Sequence, residues 1–320
     1  MTMLSRTDLL GAAAFAVAAA LGAAMPAWLV SLATIAFANA LVVLGLVILW
    51  RTGLVPFGQA LFYAIGAYAV ALIGRYTPVR DVFVVVLAGG MCAAIVAWLV
   101  GYLLARYREI FFAMLSLAMS MILYGVLVKT ETLGSTDGFH VVAGTFLGYR
   151  PRGQSLNLAM YWLTLGCGAA AALFVSLYFR TVAGALAIPV RDNEIRLEFL
   201  GVSVDRLIHL KLVIAATLAG VGGALAALSI AHVDPNMAYW TTSGGFVFVT
   251  ILAGVASVSA AFIASFAFEL VRSIAVDVAP NTWQIILGTA LLLTILFLPE
   301  GLGSLPARVR GRKADAKVRP

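Results

Sequence analysis

Charge is scarce in this chain. Of its 320 residues, 11% are Asp, Glu, Lys or Arg, while 63% are hydrophobic. Soluble domains are nearer half apolar and roughly a quarter charged. With a mean hydropathy of +1.04, folding alone cannot hide so much apolar surface from water. That excludes a soluble enzyme, a disordered scaffold and a DNA-binding domain, and it fits a bilayer protein. Cysteine is scarce too. Cys92 and Cys167 both lie in apolar runs, far from any metal-ligand spacing, so they imply no disulfide framework. Also missing are any Gly-Lys pair and any H-E-x-x-H, C-x-x-C or G-x-S-x-G pattern. The chain therefore has no P-loop, no metal centre and no nucleophile elbow of its own. The three histidines, His140, His209 and His232, are scattered in or beside loops and read as surface or interface residues. No cofactor, metal or covalent chemistry is expected, so a driving force must come from an ion gradient or from another chain.

What is present is long apolar runs. They fall at about 9–25, 28–49, 54–74, 82–105, 110–128, 157–179, 212–231, 245–271 and 283–298. A helix needs about 20 apolar residues to cross roughly 30 Å of hydrocarbon. Only helices and closed barrels satisfy their backbone inside lipid. These runs are Ala/Leu/Val-rich and lack two-residue alternation, so they predict an all-α polytopic membrane protein of about 9–10 transmembrane helices. The first run is either a retained helix, favoured by its length and direct lead into the next run, or a signal peptide with Arg6 as its basic region.

The formal net charge of +7 would suggest nucleic acid in a soluble protein. Here it reports orientation instead, and no nucleic acid partner is expected. With the N-terminus in the cytoplasm, fifteen of the Lys and Arg residues fall in inner segments, chiefly 180–211 and the tail 299–320. Arg75, Arg80, Lys129, Arg150, Arg152 and Arg272 fall outside. This bias places both termini in the cytoplasm. An even number of crossings must separate the basic segment 180–211 from the basic tail. The run 245–271 must therefore enter and return, or extend towards 278 as two short spans, with a break near Ser257–Ser259. Residues 1–298 then form a single transmembrane domain with an extracytoplasmic loop at 129–156 and a cytoplasmic loop at 180–211.

Within the cytoplasmic loop, Arg191-Asp192-Asn193-Glu194-Ile195-Arg196-Leu197-Glu198-Phe199-Leu200-Gly201 reads as a short amphipathic helix. Ile195, Phe199 and Leu200 share one face and Gly201 serves as the stop. Such a helix suits docking to a partner, and a solvated connector is the plainer reading. Among in-membrane polar groups, Gln59, Tyr63, Ser116, Ser120, Thr250 and Glu269 are candidates for a translocation path. Each equally suits hydrogen bonding between helices. Arg272 lies three residues beyond Glu269, so an ion pair is available there. Small residues in Ala219-x-x-x-Gly223 and Gly223-x-x-x-Ala227 mark a face for close helix packing.

Three separated segments resemble the permease subunits of branched-chain amino acid (LivM-type) ABC importers. Gly53-Leu54-Val55-Pro56-Phe57-Gly58-Gln59-Ala60-Leu61-Phe62-Tyr63-Ala64-Ile65-Gly66-Ala67-Tyr68 is similar to the family's G-x-x-S-x-G-(H/Q)-A-x-(F/Y)-x-G-x-G-A-Y, with Pro56 and Ala64 as departures. Arg106-Tyr107-Arg108-Glu109-Ile110-Phe111-Phe112-Ala113-Met114-Leu115-Ser116-Leu117-Ala118 is similar to R-x-R-G-x-Y-F-A-M-x-T-L-A. Arg191 to Gly201 matches A-I-R-(E/D)-N-E-x-x-x-E-x-L-G, with Pro189 and Val190 in place of Ala and Ile. The family's G-G-x-G-S-x-x-G-P-x-x-G-A has become the Ala-rich Ala253–Ser265 here, which is more compatible with helix although the charge parity demands a break. The resemblance implies an inner-membrane importer permease, for branched-chain or related amino acids, amides or urea. Its implied partners are a second homologous permease, two ATPase subunits and an extracytoplasmic substrate-binding protein. It implies that Arg191, Asp192, Asn193, Glu194, Glu198, Leu200 and Gly201 form the loop seated on the ATPase. An ion-coupled secondary carrier with Glu269 as its ionisable group is the alternative.

Overall fold

The computed structural model describes residues 25–304 except 143, 256, 281 and 298–300, together with Phe15, Ala18 and Gly22 upstream. The readings of 9–25 as a first span and of the far tail as basic and cytoplasmic thus fall largely outside the described residues. In chain order the helices are α1 (Ala27–Trp50), α2 (Gln59–Tyr76), α3 (Val82–Leu104), α4 (Glu109–Lys129) and α5 (Gln154–Tyr178). Three short helices follow, α6 (Val182–Ala185), α7 (Ala187–Asp192) and α8 (Glu194–Phe199). Then come α9 (Val204–Ile230), α10 (Trp240–Ala253), α11 (Val258–Val278) and α12 (Trp283–Phe297). Among the described residues, α1, α3, α4, α5, α9 and α11 are long and apolar enough to cross a membrane, and α10 and α12 are shorter apolar helices. The chain is an all-α polytopic membrane protein.

Helices α1 and α9 form the centre. Every residue from Leu41 to Leu49 of α1 is buried. Helix α9 packs along α1, α2 and α3. Lipid tails are as apolar as leucine, so packing inside a bilayer depends on how closely helices approach. A Cβ added to Gly223 would lie 1.9 Å from the Tyr63 carbonyl oxygen, and one on Gly66 would lie 2.0 Å from that of Gly220. Only glycine permits these contacts. The small-residue spacing of α9 is therefore a seam against α2. Large apolar side chains on α3 and α4, among them Leu87, Trp98, Phe111 and Met114, stay exposed and suit lipid or a neighbouring subunit.

Polar segments sort to two ends. At one, the Arg51 guanidinium lies 3.7 Å over the Phe179 ring and its Nε donates to the Val255 carbonyl at 2.9 Å. Gly301 packs directly on the Gly254 backbone. The ends of α1, α5, α10 and α12 thus meet there. At the other end Phe139–His140 pairs antiparallel with His232–Val233, and the Thr145 amide donates to the Arg80 carbonyl at 2.6 Å. Starting from the α7–α8 segment at the Arg51 end, α9 leaves, α10 returns, α11 leaves and α12 returns. The run expected at 245–271 is thus two helices, the second of the two forms expected for it, while the basic tail that completes the charge count lies outside the described residues.

The break itself lies at 254–257. Gly254, retained at φ +72°, ends α10, and the Ser257 hydroxyl caps α11 by accepting the Ala260 amide at 3.1 Å. One glycine and one serine therefore suffice although the segment has become rich in alanine. Three boundaries differ from the sequence expectation. Helix α9 begins at Val204, well before 212, and carries Asp205, Arg206, His209 and Lys211 as a helical extension. Helix α2 starts at Gln59, because 51–58 is a folded entry segment with Leu54 and Pro56 buried. The Arg191–Gly201 pattern forms two short helices, because Asn193 adopts extended backbone between them.

At 14 residues, α10 spans only about 21 Å. The shortfall is made up by 234–239, which fold into the bundle instead of staying at its rim. Pro235, Met237 and Ala238 are buried in a 3-10 turn against α2 and α4. Irregular backbone at such depth persists only inside protein. The Asp234 carboxylate accepts the Asn236 amide at 2.7 Å and the Ser120 hydroxyl donates to the Ala238 carbonyl at 2.8 Å.

We expect Gly223→Ala to cost about 1–3 kcal/mol, because its methyl group forces α9 off α2. Gly125→Ala, with no heavy atom within 4 Å of the added carbon, should gain about 0.5–1 kcal/mol. Thermal melting of detergent-purified protein compares the two, and equal melting temperatures would refute the close-approach seam.

Candidate functional site

Two groups of residues stand out, one at the Arg51 end and one inside the bundle. At the Arg51 end, α7 and α8 project as a compact corner. The Asn193 side chain caps α8 by accepting the Arg196 amide at 2.9 Å. Gly201, at φ +84°, closes α8, with its amide donating to Glu198 O and the Val202 amide to Leu197 O. The caps set the face. Leu197 turns inward at 6% exposure, while Ile195, Phe199 and Leu200 are 67%, 88% and 74% exposed. Ile188 and Val182 extend the exposed apolar area. The apolar stripe expected on one face of this segment therefore exists and points away from the bundle. A shallow depression there is lined by Asn193, Ile195, Arg196, Phe199 and Leu200.

The charged residues of the segment divide into two roles. Asp192 and Glu198 are exposed, and the Arg191 side chain packs over Gly53 at the end of α1. Glu194 faces inward. Its carboxylate receives the Arg108 Nε, 2.8 Å from each oxygen, and Arg108 Nη2 reaches Asp205 Oδ1 at 2.7 Å. Arg108 Nη1 donates to the Ala105 carbonyl and, at 3.1 Å, to that of Tyr107. Partial burial works against the guanidinium charge, and the bonds to Asp205 and Glu194 outweigh it, holding Arg108 above its ordinary range. Arg108 was visible in the sequence only as part of a motif. The residues it grips lie far along the chain, so no local signal could show the clamp.

Inside the bundle, five of the six path candidates converge where α2 begins. Gln59 is fully buried, with its amide nitrogen donating to the Ala215 carbonyl at 3.0 Å and its Oε1 without a partner among the described groups. Ser116 accepts the Phe57 amide at 3.1 Å. Ser243 of α10, which the sequence reading missed, accepts the Ala60 amide at 3.0 Å. The Tyr63 ring stands 5.1 Å from that of Phe246, one turn before the buried Thr250. Ser120 holds Ala238, as described above. Ser116 and Thr250 also bond carbonyls within their own helices. Tyr63, Ser116 and Ser243 lie at the contact between α2, α4 and α10, while Gln59 turns towards α9. Ser243 lies just before the apolar run read from 245, and only the approach of α10 to the first turn of α2 gives it a partner.

Glu269 on α11 stands apart from that hydrogen-bonded group. Its carboxylate pairs with Arg272 at 3.4 Å, with 13% of the side chain exposed. The i, i+3 pair is formed as its spacing suggested. His140 and His232, read as scattered, are cross-strand neighbours with ring centroids 5.3 Å apart. Among the described residues no group of three or more His, Cys, Asp or Glu side chains is arranged to hold a metal ion.

Two LivM proteins, the high-affinity branched-chain amino acid transport system permeases of Escherichia coli (strain K12) and Salmonella typhimurium (strain LT2), are each 25% identical to this chain over 296 residues. Each alignment covers 85% of this chain and 69% of the relative. No solved structure matches the chain. Residues 28–296 match the family described as branched-chain amino acid transport system, permease component. That match takes in α1 to α12 almost completely, with the capped α7–α8 corner and the broken α10–α11 pair, and the chain belongs to the branched-chain amino acid transport permease family.

Proposed function

We propose that this permease is the transmembrane subunit of an ABC importer for branched-chain or related amino acids, driven by separate ATPase subunits. The observation that carries the reading is the α7–α8 corner. It places three large apolar side chains in the open on a helix whose two ends are capped, and it lies at the end of the bundle where the basic residues collect. A solvated connector would have no reason to expose Phe199 and Leu200 together on a capped helix. An ATPase subunit seated there would cover the apolar stripe and meet Asp192 and Glu198 at its rim. A second homologous permease would bring a second such corner, so that two ATPases act on the pair. A substrate-binding protein would deliver its cargo at the opposite end, near 129–156 and 232–244. The Arg51 end is then cytoplasmic, in an inner membrane.

Within this scheme the contact of α2, α4 and α10 is the candidate path. Tyr63, Ser116, Ser120 and Thr250 belong to it, and Gln59 borders it where α2 meets α9, with its Oε1 as a buried unpaired acceptor. The chain itself binds no nucleotide. Closure of the ATPases moves the corner, and the bundle exchanges access between its two ends. Glu269 pairs with Arg272, which suits half of a structural pair, and the ion-coupled carrier is the alternative that uses its carboxylate.

Three outcomes follow. Phe199→Asp should lower recovery of the ATPase with the tagged permease at least tenfold, because an apolar contact then has to bury a charge; unchanged recovery would remove the docking surface. A cysteine introduced in place of Asn193 should react with an impermeant maleimide only from the cytoplasmic side, and labelling from the periplasm inverts the topology. Uptake by Glu269→Gln should survive an ionophore and vanish on deletion of the ATPase. The reverse pattern identifies an ion-coupled carrier.

A further inference from the structure

We propose that Arg108 is the positioning residue that carries motion of α8 into the helices of the path. The inference rests on the importer reading and concerns how a force applied at Phe199 and Leu200 reaches Ser116 and Ser120, since neither touches the other.

The guanidinium makes bonds to three separate pieces of the chain. Nε is shared by both oxygens of Glu194, the first residue of α8. Nη2 meets Asp205 in the first turn of α9. Nη1 is held by carbonyls of the α3–α4 corner. Arg108 itself precedes the first residue of α4. A carboxylate in the first turn of a helix is favoured by the helix dipole, so each acidic partner sits where its own helix wants a negative charge. The planar fork of arginine matches this arrangement, while the compact ammonium of lysine cannot span the separated partners with the same paired geometry. The side chain is 25% exposed and its Glu194 partner 32%, so the pair is partly shielded from water and holds its geometry.

Beyond the clamp the route is stiff. Helix α4 carries Ser116, which receives the Phe57 amide at the entry to α2, and Ser120, which holds the Ala238 carbonyl in the inserted 234–239 segment. A shift of α8 drags Arg108, and α4 transmits the shift as one body to both bonds. Displacement at one end of the protein is thereby delivered to two points one helical turn apart on the candidate path. The adjoining Glu109 has φ +48°, a left-handed conformation that a non-glycine residue adopts only when its surroundings impose it. The clamp to three segments is such an imposition.

The test is a double-mutant cycle on the purified complex of permease, ATPase and binding protein in vesicles, reading substrate taken up per ATP hydrolysed. Arg108→Lys and Asp205→Asn should each leave ATPase recovery unchanged and lower that ratio at least fivefold. The double variant should be no worse than either alone, because both remove one link. If Arg108→Lys fails to assemble, Asp205→Asn carries the test, since it keeps side-chain size. A wild-type ratio in the variants that assemble, or losses that multiply in the double variant, overturns the clamp. A wild-type permease that recovers no ATPase would instead sink the importer reading itself, which the unsubstituted control reports separately.

Discussion

Hydrocarbon offers no hydrogen-bond partners, so every backbone amide and carbonyl that leaves a helix must be answered by the protein. That demand shapes the parts of this permease that are not plain helix. The 234–239 segment leaves the rim and enters the bundle, yet its turn is closed by Asp234 and by Ser120 from a neighbouring helix. The break between α10 and α11 is answered by Arg51 at the Val255 carbonyl and by Ser257 at the head of α11. The first turn of α2 borrows the Ser243 and Ser116 hydroxyls through the Ala60 and Phe57 amides. Ser116, Ser120 and Ser243 therefore answer irregular backbone around the contact of α2, α4 and α10, which is also the proposed path.

Two arginines organise the Arg51 end in different ways. Arg51 draws the ends of α1, α5 and α10 together through a ring face and a carbonyl. These are contacts of shape and dipole that fix the static bundle. Arg108 joins α4, α8 and α9 through two carboxylates. Such charge-assisted bonds are directional and can be loaded from a distance. The first arrangement keeps the bundle closed upon itself. The second sits between the exposed corner and the interior, where a force from a partner would have to pass.

Much of the architecture was legible in the sequence. The apolar runs located most spans to within a few residues, and the distribution of Lys and Arg required an even number of crossings after 211. The break near Ser257 followed from that count even though the local residues had become more favourable to helix. Ile195, Phe199, Leu200 and Gly201 announced an amphipathic element by spacing alone. Other features left no local trace. The start of α9 at Val204 was hidden because Arg206 and Lys211 read as loop, whereas Arg206 is exposed on the first turn of the helix and Lys211 is fully buried within it. The extended backbone at Asn193 divided one expected helix into two, since its side chain serves better as a cap than in a helix interior.

The sequence by itself determined that the chain is a bundle of lipid-embedded helices with a polar corner at one end, because hydrophobic length, charge bias and small-residue spacing act over neighbouring residues. The tertiary structure alone decided which polar groups meet. Gln59 with Ala215, Ser120 with Ala238, Ser243 with Ala60, and Arg108 with both Glu194 and Asp205 are pairs separated by long stretches of chain. Their meeting depends on how closely glycine lets α9 approach α2 and on how far 234–239 reaches inward. Those distances belong to packed helices, and no single segment contains them.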